Sequence, residues 1–200
     1  MRRSLLISLS LVLALIAGST VCAHDKVAVI PLLEWKNTVL KTGQTRSYGP
    51  RDDGALQKGG AWPTPRFTDN NNGTVTDNLT GLIWTKNSVM AIENWDDALS
   101  FANSLASGTA GLTDGSQAGD WRLPNVRELL SLLDYGRESP ALPADNPFEN
   151  LTGMWYWSST TYNFRDEVIQ PYGVRPGSDG TVAYLDKTVS RYVWCVRGGP

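Results

Sequence analysis

Nine residues, Trp121-Arg122-Leu123-Pro124-Asn125-Val126-Arg127-Glu128-Leu129, constrain this chain more than any other stretch. An apolar strand end runs into a proline, which lacks the N–H a ladder needs and stops it. Asn125 then stands in a capping position, because its side-chain oxygen can accept from a backbone N–H of the first helical turn. Glu128 follows three residues later and can reach back to close a capping box. Val126, Leu129, Leu130 and Leu133 recur at helical spacing and are expected to face inward, with Gly136 placed to end the helix.

The remaining pattern agrees with a small mixed domain. A first helix is expected after Asn94, with Trp95, Ala98, Leu99, Ala102, Leu105 and Ala106 on one face. Before it, residues 67–84 read as a hairpin region with turns at residues 69–73 and 78–81. Short strands follow around residues 154–158, 181–185 and 192–196. The expected class is α+β, with two short helices packed on short antiparallel strands and long loops between them. Eight Trp and seven Tyr supply a dense aromatic core, with some left over for a surface site.

Residues 1–23 read as a secretory signal peptide. Arg2 and Arg3 form its charged start, residues 5–17 its short apolar run, and Val21-Cys22-Ala23 the small residues before a cut at His24. A lipoprotein cut before Cys22 is the rival, although Ser19-Thr20-Val21 fits it poorly. The apolar run is too short for a membrane span. Residues 24–62 form a turn-rich extended strap, and residues 63–200 the compact domain. The protein is expected in the periplasm or outside the cell. Loss of two basic residues with the signal leaves 16 of the 18 against 20 acidic ones, a net charge of −4. Nucleic acid is therefore not an expected partner.

Few residues offer reactive chemistry. Asp69, Asn71, Thr74 and Asp77 crowd oxygens around Gly73, as a calcium loop would. The competing reading is a tight turn in which Asn and Gly accept positive φ and Asp bonds its own backbone. His24 would become the mature N-terminus, but a copper site needs a second His, and the chain has one. The same shortage removes Ser-His and Cys-His nucleophiles and any zinc ligand set. Cys195 is the single thiol left after signal cleavage and reads as a buried small hydrophobe. Arg122, between Trp121 and Leu123, is expected to pair with a carboxylate under the fold. Trp155 and Trp157 are expected in the core, with Tyr156 on the opposite face.

The stretch 162–179 is the favoured binding segment, read as a long irregular connection. It carries Tyr162, Asn163, Arg165, Asp166, Gln170, Tyr172, Arg175 and Asp179, and long loops on rigid scaffolds often hold binding sites. An ordinary solvated loop is the alternative.

Five stretches together resemble the Lcl C-terminal domain family: residues 67–84 (FTDNNNGTVTDNLTGLIW), 94–99 (NWDDAL), the nine residues above, 156–160 (YWSST) and 193–199 (VWCVRGG). The resemblance extends over about residues 41–199 and implies a C-type-lectin-like fold. In that family a cysteine in the first helix can pair with one near the C-terminus; here Ala102 stands at that place. Arg-Leu-Pro and the closing Arg197-Gly198-Gly199 are also similar to formylglycine-generating enzymes, which act through two cysteines where this mature chain has one. The family takes its name from a collagen-like adhesin, so the resemblance implies a non-catalytic module binding a glycan or protein at the cell envelope or outside it. No cofactor is expected apart from calcium at the Asp69 loop, and a homo-oligomer stays open. The alternatives are an enzyme of formylglycine-generating or metal-dependent type, and a structural or assembly role at the envelope.

Overall fold

The computed structural model describes residues 39–164 and 168–198. The elements run α1 (Asp53–Leu56), β1 (Phe67–Asp69), β2 (Thr74–Asp77), β3 (Ile83–Thr85), β4 (Ala91–Glu93), α2 (Trp95–Ser104), α3 (Val126–Ser131), β5 (Tyr156–Phe164), β6 (Val168–Val174), β7 (Val182–Tyr184), β8 (Arg191–Val193) and β9 (Val196–Arg197). This is an α+β fold with few helices and two sheets, ordered β1-β2-β3-β9 and β4-β8-β5-β6-β7. Every strand pairing is antiparallel except that of β5 with β8, which meet at Tyr156 and Tyr192.

Both longer helices begin as their sequence dictates. Asn94 accepts from the Asp97 N–H at the start of α2. At α3 the capping box closes in both directions, from Glu128 N–H to Asn125 and from Asn125 N–H to Glu128. Together such caps stabilise a short helix by about 1 kcal/mol. The end of α3 differs from expectation: the helix stops at Ser131, before Gly136. Gly136 is instead a point of close approach, where a Cβ would lie 2.6 Å from the Gly43 carbonyl.

The core has two lobes, one on each side of the five-stranded sheet. One gathers Trp84, Leu129, Leu132, Tyr156, Val174 and Trp194 under α3. The other gathers Ala98, Ala102, Trp121, Trp157, Val193 and Cys195 under α2. Trp84, Trp121, Trp157 and Trp194 are fully buried, and truncating any one to Ala costs about 3–5 kcal/mol. The expectation for the Trp155–Trp157 run is corrected in part. Trp157 is buried, but so is Tyr156, while Trp155 is half-exposed. Two core lobes sandwich the sheet, so alternate residues of β5 are both covered.

The signature stretches meet in space. Trp95 Nε1 donates to the Ser158 carbonyl at 2.9 Å. Ser159 N–H donates to the Pro124 carbonyl, and Val126 N–H to Thr160 Oγ1. Arg122 and Val196 exchange both backbone hydrogen bonds at 3.0 Å, and Thr85 N–H donates to the Cys195 carbonyl. Arg197 lies over the Trp121 ring and forms an ion pair at 3.0 Å with the buried Asp114 carboxylate. These residues weld helices and sheets together.

Residues 39–62 pack onto this frame. Lys41 N–H donates to the Gly60 carbonyl, Gly60 N–H to Val39, and Tyr135 N–H to Thr42. Asp52 caps α1 by accepting from Ala55 N–H. Its carboxyl is held below the usual carboxylate range, first by the Tyr48 N–H and then by that of Ala55.

Candidate functional site

The stretch read as a long irregular connection is a β-hairpin for most of its length. β5 and β6 pair from Tyr156↔Val174 to Phe164↔Val168, with a bulge between Trp157 and Thr161. The sequence pattern hid this because the bulge, Pro171 and Gly173 interrupt the alternation that marks a strand. Cross-strand partners share a face, so Tyr162 and Gln170 lie on the same side as Tyr172, and Tyr172 pairs with Tyr184 of β7. The result is a cluster of three tyrosines on one face of the sheet. Tyr162 stacks on Tyr184 at 5.2 Å and 19°, and meets Tyr172 edge-on at 6.3 Å.

That face is the one α3 covers at its other end, where Tyr156 and Val174 are buried. Beyond the helix Tyr162 and Tyr172 are half-buried. Tyr184 is 56% exposed, on the last strand of the sheet, beside Val182. The Tyr172 and Tyr184 hydroxyls make no hydrogen bond among the described residues. Tyr184 did not figure among the expected site residues. Its pairing with Tyr172 across the sheet brings it in, and no local signal in the sequence carries that register.

Arg175 and Asp179 form a second group. Arg175 leaves β6 roughly 10 Å along the strand from Tyr172. Its Nε donates to the Gly153 carbonyl, its Nη2 to Ser178 Oγ, and its guanidinium lies 5.5 Å from the Trp155 ring centroid. Asp179 closes the turn on Thr181, whose hydroxyl and N–H hold its carboxyl below the usual range. Arg165 and Asp166 lie outside the described residues, as does the Asn163 side chain.

Each of the candidate calcium residues is engaged by partners within the protein. Asp77 is buried and accepts a bidentate pair of bonds from Arg66, with Nε to Oδ1 at 2.8 Å and Nη2 to Oδ2 at 3.0 Å. Asp69 accepts from Asn71 N–H and pairs with the Lys86 ammonium at 3.0 Å. Those two contacts, the N–H first, hold its carboxyl low. Asn71 adopts φ +56 in the turn, and Thr74 Oγ1 is engaged by Asn70 and Asn72. Among the described residues no group of three or more His, Cys, Asp or Glu could hold a metal ion.

Two other expectations take a different form. Arg122 does pair with a carboxylate, Glu128, at 2.7 Å and 2.8 Å, but at the surface, with 44% of its side chain exposed. Strand polarity explains this, since Trp121 and Leu123 take the buried side. Cys195 is fully buried, and burial pushes its thiol up to about 12. A neutral, enclosed thiol is no nucleophile.

An α+β domain of two antiparallel-rich sheets, with a partly exposed tyrosine cluster and a buried thiol, is the class these features define. The chain belongs to the Lcl C-terminal domain family, which matches it over residues 73–197. No curated protein matches the chain.

Proposed function

We propose that this protein is an exported, non-catalytic binding module of C-type-lectin-like architecture, and that it recognises a glycan on the face formed by Tyr162, Tyr172 and Tyr184. The tyrosine cluster carries this reading. A phenol ring offers an apolar face to the C–H side of a sugar and a hydroxyl to its rim. Two rigid torsions per side chain keep the entropic cost of ordering low. Arg175, fixed on Trp155 and Gly153, supplies a cation for an acidic or hydroxyl-rich extension of the ligand.

The absence of catalysis in this proposal rests on the buried Cys195 thiol and on family membership. Export rests on residues 1–23 of the sequence. A protein ligand is the second reading, favoured by the position of β7 at the sheet edge, where an extended segment could add a strand beside Tyr184.

Glycan-array binding of the mature chain, followed by titration of the best ligand, tests the proposal. Tyr184→Ala and Arg175→Ala are expected to weaken binding. Full affinity in both variants would sink the tyrosine face as the site. Binding only to peptides or proteins would favour the edge-strand reading.

A further inference from the structure

Away from the tyrosines, residues 39–62 and the segment after α3 line an open pocket of about 280 Å³. Its polar wall comes from Lys41, Thr42, Gln44, Asp53, Gln57 and Asp134, and its aromatic wall from Trp62. These residues precede the family match apart from Asp134. The frame is tight. Gly43 has φ +89, and a Cβ there would lie 2.3 Å from Asp134 Oδ1 and 2.8 Å from Trp62 Cη2. Trp62 is held by its Nε1 donating to the Lys41 carbonyl and by Arg66 stacked 5.0 Å from the ring centroid.

The polar groups around this cavity retain unused capacity. Thr42 Oγ1 donates to Asp53 Oδ2, which leaves Oδ1 open. Asp134 uses Oδ1 to accept from Gly136 N–H and leaves Oδ2 open. Gln44 and Gln57 each spend one amide N–H on a nearby carbonyl, of Arg46 and Gly54, and keep their amide oxygens. Among the described residues no partner engages the Lys41 ammonium. Acceptors therefore dominate, one cation stands beside them, and an indole forms part of the wall.

We infer that this cavity is a second binding site, for a single neutral sugar ring. Its volume falls just below the range of pockets for drug-sized ligands and equals roughly nine water molecules. Sugar hydroxyls donate to the open carboxylate and amide oxygens, and the Lys41 ammonium donates to a hydroxyl or the ring oxygen. The C–H face of the ring packs on Trp62. A free amino acid is the competing class, since its ammonium can donate to the same oxygens and its carboxylate can pair with Lys41, but glycine and alanine have no ring face to lay on Trp62. This site is independent of the tyrosine face.

The test uses the full mature chain and three free sugars, glucose, galactose and N-acetylglucosamine, with glycine and alanine as the competing class. Ligand-detected NMR and amide shifts read the binding. One sugar is expected to bind at millimolar concentration and to shift amides of residues 41–45, 53–62 and 134. Gln57→Ala, at an exposed residue, and Trp62→Phe are each expected to weaken it about tenfold, whereas Tyr184→Ala leaves it unchanged. The inference is overturned if no sugar binds, if only the amino acids bind, or if Gln57→Ala and Trp62→Phe both keep wild-type affinity. Loss of binding in Tyr184→Ala would overturn it too, by placing the sugar on the tyrosine face.

Discussion

Tyr162 stacks on Tyr184 across the width of a strand, with ring centroids 5.2 Å apart and planes 19° from parallel. The two residues are separated by the end of β5, all of β6 and the turn that follows it, so the pair exists only when β5, β6 and β7 are in register. Removing the outer ring by Tyr184→Ala forfeits an aromatic pair worth about 0.5–1.5 kcal/mol. The fold is expected to survive with a small drop in melting temperature. Ligand affinity is expected to fall at least about tenfold, because a central aromatic anchor carries more binding energy than its neighbours. Calorimetric titration beside a thermal melt separates the two effects.

Arg66 and Asp77 form a buried ion pair with side chains 3% and 0% exposed. Asp77 also accepts from Leu79 N–H and Thr80 Oγ1. Asp77→Ala would strand the guanidinium in the interior at a cost of about 3–5 kcal/mol, a fall of roughly 10 °C or more in a domain of this size. Since Asp77 is occupied and Lys86 sits on Asp69, added calcium or chelator is expected to leave the wild-type melting temperature unmoved. A clear rise with calcium would refute that.

Glu128 has two jobs, closing the capping box and pairing with Arg122. The ion pair keeps the Arg122 guanidinium above its ordinary pKa, but Arg122 is 44% exposed and solvent screens the attraction. The cap should therefore dominate. Glu128→Gln, which can still accept from Asn125 N–H, is expected to cost only a few tenths of a kcal/mol, whereas Glu128→Ala costs about 1 kcal/mol. Equal losses in both variants, measured by urea unfolding, would mean that charge matters more than the cap.

What could be read in the sequence was what is encoded locally. Asn94 and Asn125 name their helix starts because a cap needs only the next three residues. The Trp121–Leu129 stretch and the closing Val-Trp-Cys-Val-Arg stretch were visible as signatures, but not the reason for them. Only the folded chain shows Arg122 bridged to Val196 and Arg197 lying on Trp121. The tyrosine face was half legible. Tyr162 and Tyr172 stood out as aromatics in a polar stretch, while Tyr184 joins them through long-range register. The cavity was not legible at all, because Asp134 comes to it from beyond α3.

Asp52 organises the first turn of α1 by accepting from Tyr48, Gly49 and Ala55 N–H groups. Its pKa is lowered in the folded chain, so its contribution is present above the ordinary carboxylate value of 3.8 and is lost as pH falls through the lower folded value. Hydrogen exchange in residues 48–57 is expected to quicken in Asp52→Ala at neutral pH, with β5 and β6 unaffected. Unchanged protection would show that the turn is held by its other contacts.

Cys195 sits between Trp194 and Val196, fully buried, with its thiol raised from the ordinary 9.0 to about 12 by desolvation. The sign of the consequence is set by the unfolded chain. Above about pH 9 the unfolded thiol gives up its proton while the folded one keeps it, so unfolding releases a proton and base favours it. The stabilisation is complete below pH 9 and is lost as pH rises towards 12. Native protein is expected to resist a thiol reagent at neutral pH and to react fully in denaturant. Between about pH 8 and about pH 10, wild type should lose more stability than Cys195→Ala, which has no thiol to titrate. Parallel slopes for the two proteins, or rapid labelling of the native chain, would show that the thiol reaches solvent.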